Sequence, residues 1–422
     1  MTTSTISDFA RLRITATLFV SQSLYSAASI MMFTLLPILA AELSGHDSLA
    51  GIPSTMTLMG RAAAAYFIGW LMDKLGRRKG LTLGNGLGML GAFVAAVSIV
   101  YSSFWGLAFG MLLMGMGRGA IDLGRFAAAE IFSEDRRAKV IGFIVFGGTL
   151  GAIGGPLLVE HTERWAEQLG LPSETGPYFL AALFLLAGLV ILFAFLRPDP
   201  MDISRLLTAQ QQAEGNVTQA QSQRRLAEIF ANSKVQIAVA AMVIGQLVMT
   251  IIMTITPLYM NHHNHESGTI SLVIMAHTLG MFGLSSITGA LADHFGRIAV
   301  IIGGGVILMI ASMMAPAVTA VLPLAIALFL LGLGWNFCFV GGSSLLADSL
   351  RPSERGQAQG ASDTFVSLAS GLGNLSTGFI FAQWGIIAIG GVGLSLGLIL
   401  LAAIIWKGKQ PFLAYENFKT GD

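Results

Sequence analysis

Long stretches poor in charge recur along the whole chain, each of about 18 to 28 residues, long enough to carry an α-helix across the hydrocarbon of a bilayer. Twelve are read, at 14–41, 51–72, 80–101, 104–131, 138–159, 178–196, 235–260, 268–290, 298–315, 320–347, 357–383 and 386–406. Hydrocarbon offers no partner to backbone N–H and C=O groups, so each stretch must satisfy its own backbone as helix. Composition agrees: 11% of the 422 residues are charged and 54% are hydrophobic, against about 25% charged in soluble domains. The expected fold class is an all-α membrane protein of twelve transmembrane helices in two six-helix halves.

The basic residues are sorted by loop. Of the 24 Lys and Arg, most lie in the N-terminus, the even-numbered loops or the C-terminal tail; Arg61, Arg118 and Arg125 lie well inside spans, and Arg164 alone sits in an odd-numbered loop. The positive-inside rule therefore puts both termini in the cytoplasm. A net charge of +1 spread along one membrane face gives no patch for nucleic acid. Arg11 and Arg13 precede a long span with no early small-residue cleavage site, so the first helix reads as retained. Cys338, the single cysteine, rules out a disulfide framework and reads as a small buried side chain.

One polar segment interrupts the series. Residues 198–234, following Arg197 and rich in Gln, Ser and Arg, are too polar to span and too long for a turn. They separate an N-terminal six-helix half, 1–197, from a C-terminal half with its tail, 235–422, and read as a cytoplasmic linker. The halves echo each other at an offset of about 220 residues: Gly69, Asp73, Gly76 and Arg77 recur as Gly289, Asp293, Gly296 and Arg297, Pro37 maps on Pro257, and Glu130 with Arg137 and Gly142 parallels Asp348 with Arg355 and Gly360. Parallel duplication of a six-helix unit is one of the repeat schemes of secondary transporters, whose substrate site lies near the bilayer midplane.

The doubled Gly-x-x-x-Asp-x-x-Gly-Arg, in the loops after spans 2 and 8, resembles motif A of the major facilitator superfamily, and Gly147 to Pro156 resembles the glycine- and proline-rich motif of the same superfamily. The resemblance covers the whole chain. It implies alternating access, a gating role for Gly69, Asp73, Gly76, Arg77, Gly289, Asp293, Gly296 and Arg297, and a cycle in which proton coupling is an open question.

Charges inside the bilayer are costly and face partners or water. Arg118, Asp122 and Arg125 are spaced i, i+4 and i, i+3, so one carboxylate is flanked by two guanidinium groups on one face of span 4, and Arg61 of span 2 is within reach. This cluster reads equally as a gate and as a structural ion-pair network. The C-terminal half carries softer chemistry. Met249 and Met253 share a face of span 7, His277 and Met281 a face of span 8. Thioether and imidazole suit copper and suit magnesium or calcium poorly. Counted from the outer ends, the four form a ladder about 10 to 20 Å deep at 1.5 Å per residue. Above it, His262, His263 and His265 give the outward loop a possible metal entry.

Met-x-x-x-Met in span 7 followed by His-x-x-x-Met in span 8 is similar to the pattern of the CcoA-like copper importers, a branch of the superfamily that extends to riboflavin transporters. The resemblance implies copper, as substrate rather than cofactor, taken up across a bacterial inner membrane on Met249, Met253, His277 and Met281. Riboflavin or another small organic solute is the alternative, with Gln246, Trp335, Asn336 and Phe337 lining its cavity. A membrane sensor or assembly factor that binds metal without moving it is a third. The partners expected are membrane lipid and one small substrate. The chain shows no phosphate loop with its Lys and no nucleophile with its base, so it reads as neither an ATP-driven pump nor an enzyme. Replacing Asp73 with Ala is expected to slow transport in a folded protein; normal turnover of Asp73→Ala in proteoliposomes would remove that residue from the gate.

Overall fold

The computed structural model describes residues 8–132, 134–213, 224–350 and 354–408, and among them all regular structure is helix. In chain order the helices are α1 (Asp8–Ser44), α2 (Ile52–Leu75), α3 (Arg77–Val100), α4 (Phe104–Ile121), α5 (Gly124–Ala129), α6 (Glu134–Gly154), α7 (Val159–Gln168), α8 (Thr175–Phe195), α9 (Pro200–Ala213), α10 (Leu226–Ala231), α11 (Ser233–His262), α12 (Ser267–Phe282), α13 (Ser285–Phe295), α14 (Arg297–Ala317), α15 (Val321–Asp348) and α16 (Arg355–Gly408).

Each of the twelve expected spans falls on helix, with interruptions that hydropathy does not reveal. Span 4 breaks at Asp122–Leu123 between α4 and α5, span 5 at a short turn, Pro156–Leu158, between α6 and α7, and span 8 at Gly283–Leu284 between α12 and α13. Conversely, α16 runs through the expected loop between spans 11 and 12, where Gly385 (φ 69°, ψ −172°) alone leaves helical geometry. Among the described residues, ten helical segments are long and apolar enough to cross a membrane; that number takes α16 as one rod and omits α2. The expected linker is partly helical, since α9 and α10 both fall within it.

The chain groups into two compact units that do not coincide with the sequence halves. The first comprises Met1–Gln219, Thr254–Met275 and Asn374–Ala382; the second comprises Ala220–Met253, Ala276–Gly373 and Gln383–Asp422. The C-terminal end of α11, the N-terminal part of α12 and a middle stretch of α16 thus belong with the N-terminal helices. Backbone proximity explains this. A side chain at Gly51 would collide with the Asn374 carbonyl, and one at Gly378 would sit 2.7 Å from the Ser48 carbonyl and 2.8 Å from that of Asp47. Thr254 Oγ1 donates to Asn374 Oδ1 at 2.7 Å.

Within the first unit α1 is the most enclosed helix, and two fully buried tyrosines tie its surroundings together. Tyr25 donates to the Met114 carbonyl at 2.5 Å and Tyr178 to the Met32 carbonyl at 3.1 Å. Each ring supplies apolar area while its hydroxyl satisfies itself on backbone.

The turn from α2 to α3 shows how the polar ends are handled. Gly76 sits at φ 96°, a left-handed conformation open to glycine. The Asp199 carboxylate accepts from the backbone N–H groups of Arg77 (3.0 Å) and Arg78 (3.1 Å), satisfying two orphan donors of α3 from 120 residues away, and also from the N–H of Met201 (2.9 Å), so it caps α9 as well. In the second unit, Arg224 grips the buried Glu354 through Nε (2.8 Å) and Nη2 (2.6 Å), which anchors the end of the linker and raises the guanidinium pKa. Asp199→Ala is expected to lose about 1 to 2 kcal/mol of stability and Asp199→Asn much less, because Asn still accepts from backbone N–H. Thermal melts of the two variants in detergent check this; equal melting temperatures for both and the parent would show the cap to be idle.

Candidate functional site

The repeated motif holds charge in the same way in each unit. Arg77 makes a two-pronged contact with Glu130, Nε to Oε2 at 3.1 Å and Nη2 to Oε1 at 2.8 Å. Arg297, its repeat equivalent, bonds Asp348 from Nε at 3.1 Å and also pairs with Asp293. Gly296 repeats the left-handed turn of Gly76 at φ 90°. The parallel of Glu130 with Asp348, visible in the sequence as spacing, is therefore a parallel of contacts. Gly289 lies on α13 with open space around it. Gly69 and Asp73 lie on α2, but their side chains fall outside the described residues, as does that of Arg355 on α16.

In the N-terminal half the charged cluster forms as the spacing requires, and Arg61 joins it. Arg61 Nη2 lies 2.8 Å from Asp122 Oδ2 and Arg118 Nε 3.1 Å from Asp122 Oδ1. Arg118 also donates to Ser26 Oγ of α1 at 3.2 Å. Close approach of α2 and α4 makes the Arg61 contact possible: a side chain at Gly119 would lie 2.7 Å from the Arg61 carbonyl, and one at Gly115 would overlap the Thr57 carbonyl.

The methionines and the intramembrane histidine occupy the second unit. Met249 and Met253 are one turn apart on α11, His277 and Met281 one turn apart on α12. Met249 and His277 are buried, Met253 and Met281 half-buried. His277 Nδ1 lies 2.9 Å from the Leu328 carbonyl of α15, while Nε2 is buried with no hydrogen-bond partner. A carbonyl accepts only, so Nδ1 carries the proton and Nε2 keeps its lone pair. Such a lone pair is a ready soft-metal donor, although neither nitrogen is bonded to a methionine sulfur.

The outer histidines are not gathered. His262 Nε2 is 3.8 Å from Asp47 Oδ1, and His263 Nδ1 is 2.8 Å from the Tyr259 carbonyl with its ring against that tyrosine. Among the described residues no three His, Cys, Asp or Glu side chains converge on a point able to hold a metal ion. Of the three histidines expected to form a metal entry, His262, His263 and His265, the first two lie against separate partners of their own. Cys338 is fully buried, its Sγ against the Ile301 carbonyl, and is a packing residue as expected.

A polar and aromatic cluster in the second unit gathers more than the sequence revealed. Trp335 Nε1 donates to Gln246 Oε1 at 2.8 Å, and Gln246 Nε2 donates to Thr250 Oγ1 (3.2 Å) and Ser370 Oγ (3.1 Å). The indole stacks on Phe339 with centroids 4.9 Å apart at 14°, and Phe282 meets its edge at 5.9 Å. Gln246 and Trp335 were expected in a cavity lining; Thr250, Ser370, Phe339 and Phe282 were not, because four different helices supply the cluster and helical spacing relates Gln246 only to Thr250 and Trp335 only to Phe339. Asn336 and Phe337 are elsewhere. Asn336 donates to the Met281 carbonyl (2.6 Å) and Ser285 Oγ (2.8 Å), which closes the break between α12 and α13, and Phe337 packs on α14 beside Gly304.

Known proteins share this architecture and sequence. The family model of the Major Facilitator Superfamily matches residues 18–269 and 237–417. An uncharacterized MFS-type transporter of Bacillus subtilis, YdeG, is 35% identical over 88% of this chain and 86% of its own length. The riboflavin transporter RfnT of Brucella anthropi is 29% identical over 82% of this chain and 83% of its own. The xylose transporter XylE from E. coli, in a partially occluded inward open conformation, superposes with a TM-score of 0.68 over 96% of this chain and 98% of its own at 15% identity, a likeness of fold. Matched over residues 18–417 by the family model and over 88% of its length by a relative 35% identical, the chain belongs to the major facilitator superfamily, and it is a membrane transporter rather than an enzyme.

Proposed function

We propose that this transporter carries a small planar organic solute of the flavin type by alternating access. The Gln246 network is the observation that carries this reading. A primary amide held between an indole N–H and two hydroxyls can exchange either set of bonds for the edge of a heterocycle, and Trp335 on Phe339 offers a ring face for stacking. Of the relatives named above, RfnT is a riboflavin transporter, and it aligns over most of both chains.

The soft-metal reading keeps a specific observation of its own. His277 Nε2 is buried, unpartnered and unprotonated, one turn from Met281. Copper as substrate would find an imidazole lone pair there, with Met249, Met253 and Met281 as thioether donors.

Uptake of riboflavin and of copper, measured side by side in proteoliposomes, separates the two. Gln246→Leu and Trp335→Ala are expected to reduce riboflavin uptake at least about tenfold, the effect of losing roughly 1.4 kcal/mol of binding or more. Met249→Leu is expected to leave it near the parent level, because Leu fills the volume of Met without its sulfur. Riboflavin uptake unchanged by both cluster variants would sink the planar-solute reading. Copper accumulation that His277→Leu abolishes would put the metal in its place, whereas copper uptake indifferent to Met249→Leu and His277→Leu would dismiss the ligand set.

A further inference from the structure

Three arginines inside the N-terminal half surround one carboxylate, and we propose that their surplus charge forms a binding site for an oxyanion, a carboxylate or phosphate, carried by the transported solute. This rests on the reading of the chain as a small-solute transporter and extends it to the charge of the solute.

Arg61 and Arg118 contact Asp122 directly, and Arg125 lies within electrostatic range of the same carboxylate. One negative charge offsets one of the three. Among the described residues the next carboxylate along, Glu130, is occupied by Arg77. Two positive charges are therefore left inside the membrane-spanning region, where each costs about 2.5 to 3.5 kcal/mol on an insertion scale. A network serving stability alone is favoured when its charges match.

The hydrogen-bonding inventory points the same way. Arg61 uses Nη2 on Asp122 and its side chain is 47% exposed, so it keeps donors free. Arg118 uses Nε on Asp122 and Nη1 on Ser26. Arg125 Nε is buried without a hydrogen-bond acceptor, and Asp122 Oδ2, 2.8 Å from Arg61 Nη2, pairs with it by charge without a formed hydrogen bond. Three guanidinium groups surround a single carboxylate, and a guanidinium fork matches an oxyanion in two-pronged fashion. Arg61 is nine residues into α2, about 14 Å from its outer end, at a depth suited to a solute site near the midplane. Close approach of α2 to α4 at Gly115 and Gly119 holds the arginines in place before any anion arrives.

The test uses the full chain in lipid nanodiscs and phenylglyoxal, which modifies arginine, with modification followed residue by residue by mass spectrometry. Benzoate, phenyl phosphate and inorganic phosphate are the anionic probes, and benzamide is the neutral control. Saturating benzoate or phenyl phosphate is expected to slow modification of Arg61 and Arg118 about tenfold, as mass action requires, while benzamide leaves it unchanged. Stronger protection by benzoate assigns a carboxylate, and stronger protection by the phosphates assigns a phosphate. In Asp122→Asn, which removes the competing charge, half-protection is expected at about one tenth of the probe concentration. Labelling of Arg61 and Arg118 that no anion slows, or that benzamide slows equally, overturns the site, and this holds on the parent protein even if Asp122→Asn does not fold. Weaker protection in a folded Asp122→Asn protein also overturns it, because the carboxylate would then be organising the arginines rather than competing with a ligand. Lost anion protection with riboflavin uptake still sensitive to Gln246→Leu defeats this inference alone; protection that persists while neither cluster variant affects uptake defeats the planar-solute reading alone.

Discussion

A bilayer supplies no water to complete a polar group, so every N–H, carbonyl and charge placed in it must find its partner within the protein. The molecule repeats that constraint at every scale. Twelve stretches become helix because helix is the local solution for backbone. Where a helix breaks inside the membrane, the freed groups are collected by side chains: Asn336 takes the Met281 carbonyl beside the break between α12 and α13. Where α3 begins, Asp199 supplies the acceptors that its first N–H groups lack.

Departures from this rule are where function is sought. Among the described residues most interior polar atoms are matched; some are left open, and others sit in networks that a ligand can re-pair. The imidazole of His277 keeps one nitrogen bare. Arg61, Arg118 and Arg125 share one carboxylate, and Gln246 holds an indole and two hydroxyls in an arrangement that a ligand can take over. An amide network can re-pair without moving a charge, which suits a site that must release what it binds. A guanidinium surplus instead selects for charge and orients the solute by it.

Duplication ties the two halves to a common plan while letting the chemistry diverge. Arg77 with Glu130 and Arg297 with Asp348 retain the same contact across some 220 residues of separation, each beside a left-handed glycine turn. In the membrane interior the correspondence ends: Arg61 of the first half stands opposite Met281 of the second in the repeat register. The turns are preserved by backbone geometry, which tolerates few residues there; the interior positions are open to whatever solute each half must meet.

The all-helical class, the repeat register and the ion pairs on one helix face were legible in the sequence, because each depends on local apolar length, on i to i+4 spacing or on residue type at a fixed offset. Arg118 with Asp122, the pair of methionines on α11 and the motif turns follow from those rules alone. Tertiary structure decided the rest. It brought Ser370 and Phe282 to Gln246 and Trp335, took Asn336 away to a helix break, turned His262 and His263 to separate partners, and placed Asp199 on the end of a helix 120 residues distant. These contacts join helices remote in sequence, and the packing of glycine-lined surfaces, at Gly115 and Gly119 among others, decides which side chains meet. Periodicity tells which face of a helix a residue occupies. It carries no information about which neighbour that face will touch, since apolar helix faces are nearly interchangeable until backbones approach closely enough for single side chains to decide the fit.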